Sequence, residues 1–196
     1  MNEIILASQS PRRKQLLEWA EIPFKIVVKS TDESFPADLE VEKVPIHIAI
    51  NKAKAVIDYL EKIQNIKPAT IVLAADTIVV LDNQVINKPI DRKEAIAMLT
   101  SLSGKEHRVI TGVVLKNAIK EHSFSVTTHV QFHSLTIEQI EFYVDRYKPY
   151  DKAGSYAIQE WIGVVGIAAI NGDFYNVMGL PVASVVKALT LFNPQH

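Results

Sequence analysis

The sequence contains no cysteine, which excludes a disulfide framework, a thiolate metal site and a cysteine nucleophile. It also lacks an excess of either charge, because 21 Lys and Arg residues face 22 Asp and Glu residues, for a net charge of -1. No overall field therefore attracts nucleic acid or an anionic membrane, and any anion site must be local. No apolar run is long enough to span a membrane or to form the core of a signal peptide. We expect a cytoplasmic protein without membrane or nucleic-acid partners.

Familiar catalytic and metal-binding motifs are missing as well. The sequence has no P-loop, no G-x-G-x-x-G and no G-x-S-x-G. His129 and His133 lie on one predicted strand, where four residues span about 13 Å, too far to share a metal ion. A phosphate or metal site must therefore be built from residues that are scattered along the chain.

The apolar patterns predict a mixed-sheet α/β domain over residues 1–196, or two lobes around a central cleft. The predicted strands are 3–7, 24–28, 70–81, 108–116 and 123–133. The predicted helices start near Pro11, Glu42, Asp91, Thr136 and Pro181. The turn residues Asn171-Gly172 predict a hairpin that joins strands at 164–170 and 173–177.

The segment from Ser8 to Lys14 combines a helix start with an unusual run of cations. Ser10 suits the N-cap and Pro11 the first helical position, where no amide donor is needed. The first turn then carries Arg12, Arg13 and Lys14, although the helix dipole favours acidic residues there. An anion bound at this helix end would explain these cations. A basic turn exposed to solvent is the alternative.

Asp76 interrupts the apolar strand 70–81. A buried carboxylate costs several kcal/mol unless it is paired, hydrogen-bonded or bound to a metal ion. The hypothesis is a functional carboxylate; the alternative is a strand break capped by its own backbone and Thr77. Lys52 and Lys88 are surface charges if each is considered alone. The polar segment that ends at Gln159 could likewise be a plain connection.

Six short motifs, taken together and in order, resemble the Maf family. They are Ser8-Gln9-Ser10-Pro11-Arg12-Arg13, Ala75-Asp76-Thr77, Asn87-Lys88-Pro89, Ser103-Gly104 with Thr111-Gly112, the run Asp151-Lys152-Ala153-Gly154-Ser155-Tyr156-Ala157-Ile158-Gln159, and Asn176-Val177-Met178-Gly179-Leu180-Pro181. The resemblance extends from Ile4 to Pro181. Each motif alone is weak, but the ordered set is specific.

The resemblance implies an inosine-triphosphatase-like α/β fold with a mixed, strongly twisted sheet flanked by helices. It also implies a nucleoside triphosphate pyrophosphatase, in which water attacks the α-phosphorus and a divalent cation, Mg²⁺ or Mn²⁺, assists. The products are a nucleoside monophosphate and pyrophosphate. A homodimer is implied too.

The family's residue roles transfer to matching positions of this sequence. Asp76 becomes the proton acceptor, or the residue that positions water and metal, and Glu33 becomes a second metal-side carboxylate. The positions associated with base choice are Arg12, Thr77 and Gln159. The expected triphosphate contacts are Ser8, Ser10, Arg13, Lys52 and Lys88.

The form of the last polar motif resembles the branch that acts on dTTP and UTP rather than the 7-methyl-GTP branch. One departure lies beside it, because many family members follow this Gln with Gly and small residues, whereas Glu160 and Trp161 follow Gln159 here. Two other functions stay open. One is the same reaction on modified pyrimidine nucleotides, and the other is a non-catalytic nucleotide-binding regulator of septum formation.

Overall fold

The structure is a computed structural model that describes residues 3–63 and 66–192. Within these ranges the strands are β1 (Ile4–Leu6), β2 (Phe24–Ile26), β3 (Val72–Leu81), β4 (Gln84–Ile86), β5 (Glu106–Lys116), β6 (Glu121–Phe132) and β7 (Ile167–Asn171). The helices are α1 (Pro11–Trp19), α2 (Val44–Lys62), α3 (Arg92–Leu102), α4 (Ile137–Tyr147), α5 (Trp161–Gly166), α6 (Phe174–Met178) and α7 (Val182–Phe192). None of the helices in these ranges is both long enough and apolar enough to cross a membrane.

The strands form one mixed sheet in the order β2-β1-β3-β5-β6-β7, and β4 pairs with β3 outside this path. β1 is parallel to β2 and to β3. β4 is antiparallel to β3, and β7 is antiparallel to β6. The prediction of a mixed-sheet α/β fold is therefore confirmed, and β3 is an interior strand, as its apolar run predicted.

Contacts divide the chain into two compact units. Unit 1 consists of the described residues within Met1–Asp76, Thr111–Val126 and Gly179–His196, and unit 2 consists of Thr77–Ile110 and Thr127–Met178. In unit 1, one face of α2 packs on the apolar side chains of β3 and β5. The cluster includes Ala49, Ala53, Val56, Ile57, Leu60, Val72, Ala74 and Val114. The helical spacing of these α2 residues places them on one face.

Gly112 explains how closely α2 approaches β5 in unit 1. A Cβ at Gly112 would lie 2.3 Å from the backbone nitrogen of Ile46 and 2.4 Å from the carbonyl carbon of Pro45. Real Cβ atoms do not approach backbone this closely, so glycine is required where the first turn of α2 crosses the strand. Pro45 in that first turn is tolerated because its missing amide would have no intrahelical partner.

The core of unit 2 lies where α3 and α4 cover the strands of this unit. The residues include Leu99, Leu102, Val109, Val130, Phe132, Ile140, Tyr143 and Val144. The two helices begin where the sequence predicted, and each starts with a side-chain cap. Asp91 accepts a hydrogen bond from the Glu94 amide, and Thr136 and Gln139 form a reciprocal capping box.

The predicted hairpin around Asn171-Gly172 is wrong. Residues 164–166 belong to α5, only β7 is a strand, and 174–178 form the short helix α6. The reason is Asp173, whose Oδ1 accepts hydrogen bonds from the amides of Tyr175 at 2.7 Å and Asn176 at 3.3 Å. This carboxylate caps a helical turn directly after Gly172, so the chain does not return as a strand.

Candidate active site

The start of α1 has the capping geometry that its sequence predicted. Ser10 is the N-cap and its side chain accepts a hydrogen bond from the Arg13 amide, with Pro11 in the first turn. The Ser10 amide donates in turn to Ser8 Oγ at 3.2 Å, and Ser8 is buried. The two serine hydroxyls therefore organise the turn from β1 into α1. Arg12 is half-buried at this helix start.

Arg13 is buried, with 8% of its surface exposed. Its Nε donates to the carbonyl oxygen of Gly179 at 2.8 Å, and its Nη1 donates to Ser8 Oγ at 3.1 Å. Burial lowers the pKa of the guanidinium, while Asp76 and Glu33 act in the opposite direction. Arg13 thus ties the start of α1 to the turn that precedes α7.

Asp76 takes part in a three-residue ionic cluster. Lys52 Nζ lies 2.7 Å from Asp76 Oδ1 and 2.7 Å from Glu33 Oε1. Lys52 projects from the middle of α2, and Asp76 stands where the buried run of β3 becomes half-buried. β3 continues through Asp76 without a break. The carboxylate is therefore stabilised by an ion pair, which answers the question raised by its position in an apolar strand.

A short turn presents the other carboxylate of this cluster. Asp32 accepts hydrogen bonds from the Ser34 amide at 2.9 Å and from the Ser34 hydroxyl at 2.6 Å. This Asx turn brackets Glu33, whose side chain is 47% exposed and points to Lys52. This segment is thus ordered locally by its own side chains.

The donor set of this cluster fits a divalent cation that arrives with a phosphate group. The described residues contain no group of three or more His, Cys, Asp and Glu side chains that could hold a metal ion. Mg²⁺, however, is usually bound by one or two carboxylates together with substrate phosphates and water. Asp76 and Glu33, joined through Lys52, supply that number of carboxylates.

Unit 2 carries the other predicted site residues. Thr77 follows Asp76 on β3 and is half-buried, and Lys88 lies exposed in the arm after β4. The carbonyl oxygen of Asn87 accepts a hydrogen bond from the Gly154 amide at 3.1 Å. This bond attaches the arm that carries Lys88 to the polar segment 151–159.

The segment 151–159 is a fixed structural feature rather than a plain connection. Lys152 is 8% exposed, and its Nζ lies 2.8 Å from Asp151 Oδ1 and 3.5 Å from Glu160 Oε1. Residues from Gly154 to Ile158 are buried, whereas Gln159 is exposed. The Gln159 amide is therefore presented to solvent at the end of a buried segment.

Sequence reasoning missed the contacts of four residues that hold this part of unit 2 together. Tyr143 donates a hydrogen bond to Glu160, and the Tyr156 hydroxyl lies 2.7 Å from Nε2 of His107. The helical period of α4 predicts that Tyr143 is a core residue. It gives no indication that the Tyr143 hydroxyl forms hydrogen bonds. Glu160 had a signal, since it departs from the pattern that the chain otherwise resembles.

The structure thus sorts the predicted residues into two sets. Unit 1 brings together Ser8, Ser10 and Arg13, and it brings together Glu33, Lys52 and Asp76. The two groups interact electrostatically, because the charges of Asp76 and Glu33 raise the pKa of Arg13 against the effect of burial. Unit 2 carries Thr77, Lys88 and Gln159.

Comparisons with known proteins show the family of this chain. A family model described as Maf-like protein matches residues 3–192. A Porphyromonas gingivalis protein named dTTP/UTP pyrophosphatase is 46% identical over 195 residues, which cover 99% of this chain and 96% of that protein. A protein of the same name from Cytophaga hutchinsonii is 48% identical, with 98% and 86% covered. One from Bacteroides thetaiotaomicron is 45% identical, with 95% and 94% covered.

Among solved structures, the Staphylococcus aureus Ham1 protein aligns with 67% of this chain and 72% of its own, at 12% identity and a TM-score of 0.45. A similarity at that score carries no conclusion of its own. The family model and the relatives cover nearly all of the chain. The chain belongs to the Maf family.

Proposed function

We propose that this protein is a nucleoside triphosphate pyrophosphatase that hydrolyses dTTP and UTP. The observation that carries the proposal is the near-full-length identity of 45–48% to relatives named dTTP/UTP pyrophosphatase. The geometry of unit 1 supports it, because a cation and two carboxylates meet beside a helix N-terminus. Such a site can bind a triphosphate and activate water.

In the proposed reaction, a water oxygen forms a bond to the α-phosphorus. The bond from that phosphorus to the oxygen bridging to the β-phosphorus breaks, and its electron pair leaves with pyrophosphate. Asp76 accepts the proton of the attacking water. A base in this position contributes about 10²–10⁴ in rate. Nζ of Lys52 lies 2.7 Å from Oδ1 of Asp76, and this ion pair keeps the carboxylate oriented.

A bound Mg²⁺ or Mn²⁺ would neutralise charge on the triphosphate and polarise the α-phosphate. Asp76 and Glu33 are the side chains proposed to hold it. Ser8, Ser10, Arg13, Lys52 and Lys88 are the proposed phosphate contacts. Lys52 forms ion pairs with Asp76 and Glu33 in the structure, and we propose that it also contacts a phosphate of the substrate.

We assign base choice to Gln159, with Arg12 and Thr77. A carboxamide offers a donor and an acceptor, which match the imide edge of uracil and thymine. The Gln159 side chain is exposed while its neighbours on the N-terminal side are buried. It is therefore available to a ligand and carried by a fixed backbone.

The Asp76→Asn variant tests the reaction. Asparagine keeps the size of the side chain and can still contact Lys52, but it is no longer a base. We expect release of monophosphate and pyrophosphate from dTTP and UTP to fall by about 10²–10⁴-fold with unchanged thermal unfolding. Products are identified by ion-exchange chromatography. Asp58→Asn, at an exposed position on α2, is the matched control and should retain activity within about twofold.

Full activity of Asp76→Asn would refute the role of this carboxylate. A panel that includes modified pyrimidine nucleotides and 7-methyl-GTP, ranked by kcat/KM, decides between the dTTP/UTP reaction and the same reaction on other nucleotides. Nucleotide binding without pyrophosphate release by the wild-type protein would instead favour the non-catalytic regulator of septum formation.

The homodimer is a proposal that rests on the resemblance. The proposed cytoplasmic location rests on the short apolar runs of the sequence, and the proposed lack of nucleic-acid and membrane partners rests on its net charge of -1 and on those same short runs. Light scattering coupled to size-exclusion chromatography measures the oligomeric state. A monomer at micromolar concentration would contradict the dimer.

A further inference from the structure

We propose that Glu160 is a positioning residue for Gln159, acting together with Tyr143 and Lys152 to fix the backbone on both sides of the exposed amide. The proposal rests on the proposed role of Gln159 in base choice. It adds that Glu160 holds the Gln159 backbone in place and so sharpens the discrimination between bases. Glu160 contacts no substrate in this scheme. Its effect is on discrimination between bases and not on the chemical step.

The Tyr143 hydroxyl bridges the residues that flank Gln159. It accepts a hydrogen bond from the Ala157 amide at 3.1 Å and donates its proton to Glu160 Oε2. One hydroxyl group of α4 thus holds the chain two residues before Gln159 and one residue after it. Its single proton and its lone pairs are used without conflict.

Lys152 provides the second attachment. Its Nζ lies 3.5 Å from Glu160 Oε1, so the two carboxylate oxygens of Glu160 have different partners. The Lys152 side chain is 9% exposed and that of Glu160 is 22% exposed, whereas Asp151, the other partner of Lys152, is 61% exposed. Asp151 is the nearer partner, at 2.8 Å, but Glu160 is the better shielded from solvent, and an ion pair is stronger where water is excluded. The contact with Glu160 also closes the segment 152–160 into a loop.

The carboxylate of Glu160 does not cap the helix that follows it. Glu160 is the N-cap of α5, yet its side chain makes no capping hydrogen bond to that helix. Glutamate is not among the favoured N-cap residues. Its contacts to Tyr143 and Lys152 are therefore the structural use of this side chain.

A close backbone contact fixes the residue immediately before Gln159. A Cβ at Gly163 would lie 1.7 Å from the carbonyl oxygen of Ile158, so only glycine allows this approach. The Gly163 amide also donates to the Glu160 carbonyl at 2.9 Å. The backbone around Gln159 is thus held at Ala157, Ile158 and Glu160, while Gln159 itself is the exposed residue of this stretch.

The contacts of Glu160 should affect KM for the preferred base more than they affect kcat. Discrimination between an imide and an amino-substituted base depends on hydrogen bonds whose strength falls steeply with misalignment. Phosphate binding and hydrolysis use residues of unit 1 and Lys88 instead. Loosening the backbone should therefore raise KM for the preferred base and leave kcat nearly unchanged.

The test compares dTTP with dCTP in purified, full-length variants. Glu160→Gln removes the less exposed of the two carboxylates that pair with Lys152, and Tyr143→Phe removes the bridging hydroxyl while it preserves the volume of a fully buried ring. We expect the ratio of kcat/KM for dTTP to that for dCTP to fall about tenfold in each variant, through KM. The double variant should show no further fall, because the two residues act as one unit.

Tyr147→Phe is the matched control, since this ring stacks on Tyr143 in the same helix with centroids 5.0 Å apart. Its ratio should equal that of the wild type. If Glu160→Gln and Tyr143→Phe lower only the melting temperature and leave the ratio unchanged, the cluster is structural and the proposal is wrong.

Gln159→Ala separates failure of this proposal from failure of the proposed function. A ratio unchanged in Gln159→Ala contradicts the base-choice role and, with it, the positioning of Gln159. A ratio that falls in Gln159→Ala but not in Glu160→Gln or Tyr143→Phe overturns the positioning alone. If Glu160→Gln does not fold, Tyr143→Phe decides by itself.

Discussion

At the scale of single residues, Arg13 combines two roles that pull in different directions. The sequence places it in a cationic helix start, where a triphosphate contact is expected. The structure shows it buried, with Nε and Nη1 donating to Gly179 and Ser8. A guanidinium can serve two acceptors in different directions because its donors lie in a rigid plane. Arg13 therefore orders the site even before any ligand binds.

Arg13→Lys measures that structural role. An ammonium is shorter than a guanidinium and can reach only one of the two acceptors, so we expect the free energy of unfolding to fall by about 1–3 kcal/mol. Urea unfolding followed by circular dichroism measures it. Lys14→Gln on the same helix is the control. Lys14 forms an exposed ion pair with Glu18, and the loss of such a pair should cause no measurable change in stability. Unchanged stability with a raised KM would instead make Arg13 a phosphate ligand alone.

At the scale of elements, the helices of unit 2 depend on side chains at their first turns. α4 starts with the reciprocal pair Thr136 and Gln139, in which the Thr136 amide donates to Gln139 Oε1 at 2.9 Å. α3 starts with Asp91, which accepts from the Glu94 amide at 2.8 Å. These bonds satisfy amides that have no partner within the helix. They also orient α4, which carries Tyr143.

The same substitution should have opposite effects at two exposed threonines. Thr136→Ala removes the N-cap of α4 and should lower the free energy of unfolding by about 1 kcal/mol. Thr100 lies inside α3, where its hydroxyl bonds to the Ile96 carbonyl one turn earlier. Thr100→Ala should be neutral or slightly stabilising, because alanine has the higher helix propensity. Thermal unfolding of both variants checks the sign, and equal destabilisation would contradict this account of the cap.

At the scale of the whole molecule, a buried histidine makes stability depend on pH. His107 is 2% exposed and packs edge-on against Phe132 and Tyr156. Its Nδ1 has no hydrogen-bond partner among the described residues. Burial lowers the pKa of His107 from 6.5 to about 4. The folded protein therefore holds this ring neutral in a pH range where the unfolded chain protonates it.

Unfolding must then take up one proton between pH 6.5 and 4, so the free energy of unfolding falls as the pH falls through this window. The loss reaches about 3 kcal/mol at the acid end. Urea titrations at several pH values measure it. His107→Gln should remove this component from the pH profile, and His129→Gln, at a side chain that is 42% exposed, should leave it in place. Parallel profiles for wild type and His107→Gln would refute the assignment.

The sequence predicted most elements correctly because periodicity and capping are local. The period of α2, the apolar run of β3 and the caps Ser10, Asp91 and Thr136 need no distant partner to be recognised. The hairpin at Asn171-Gly172 was wrong for a local reason as well, since Asp173 competes with the turn by capping α6. Lys152 looked like a residue of a polar connection, but it is buried, and its Nζ lies 3.5 Å from Oε1 of Glu160, eight residues later in the chain.

Patterns along the chain are enough to predict the mixed α/β class, to exclude thiol chemistry and to supply the ordered motifs that resemble the family. The contacts of each charged residue, in contrast, follow from the folded molecule. Lys52 bridges Asp76 and Glu33, Arg13 spans to Gly179 across 166 positions of the chain, and Glu160 bonds to Tyr143. The physical reason is that an apolar pattern repeats along the chain, whereas the partner of a buried charge is set by which elements pack together.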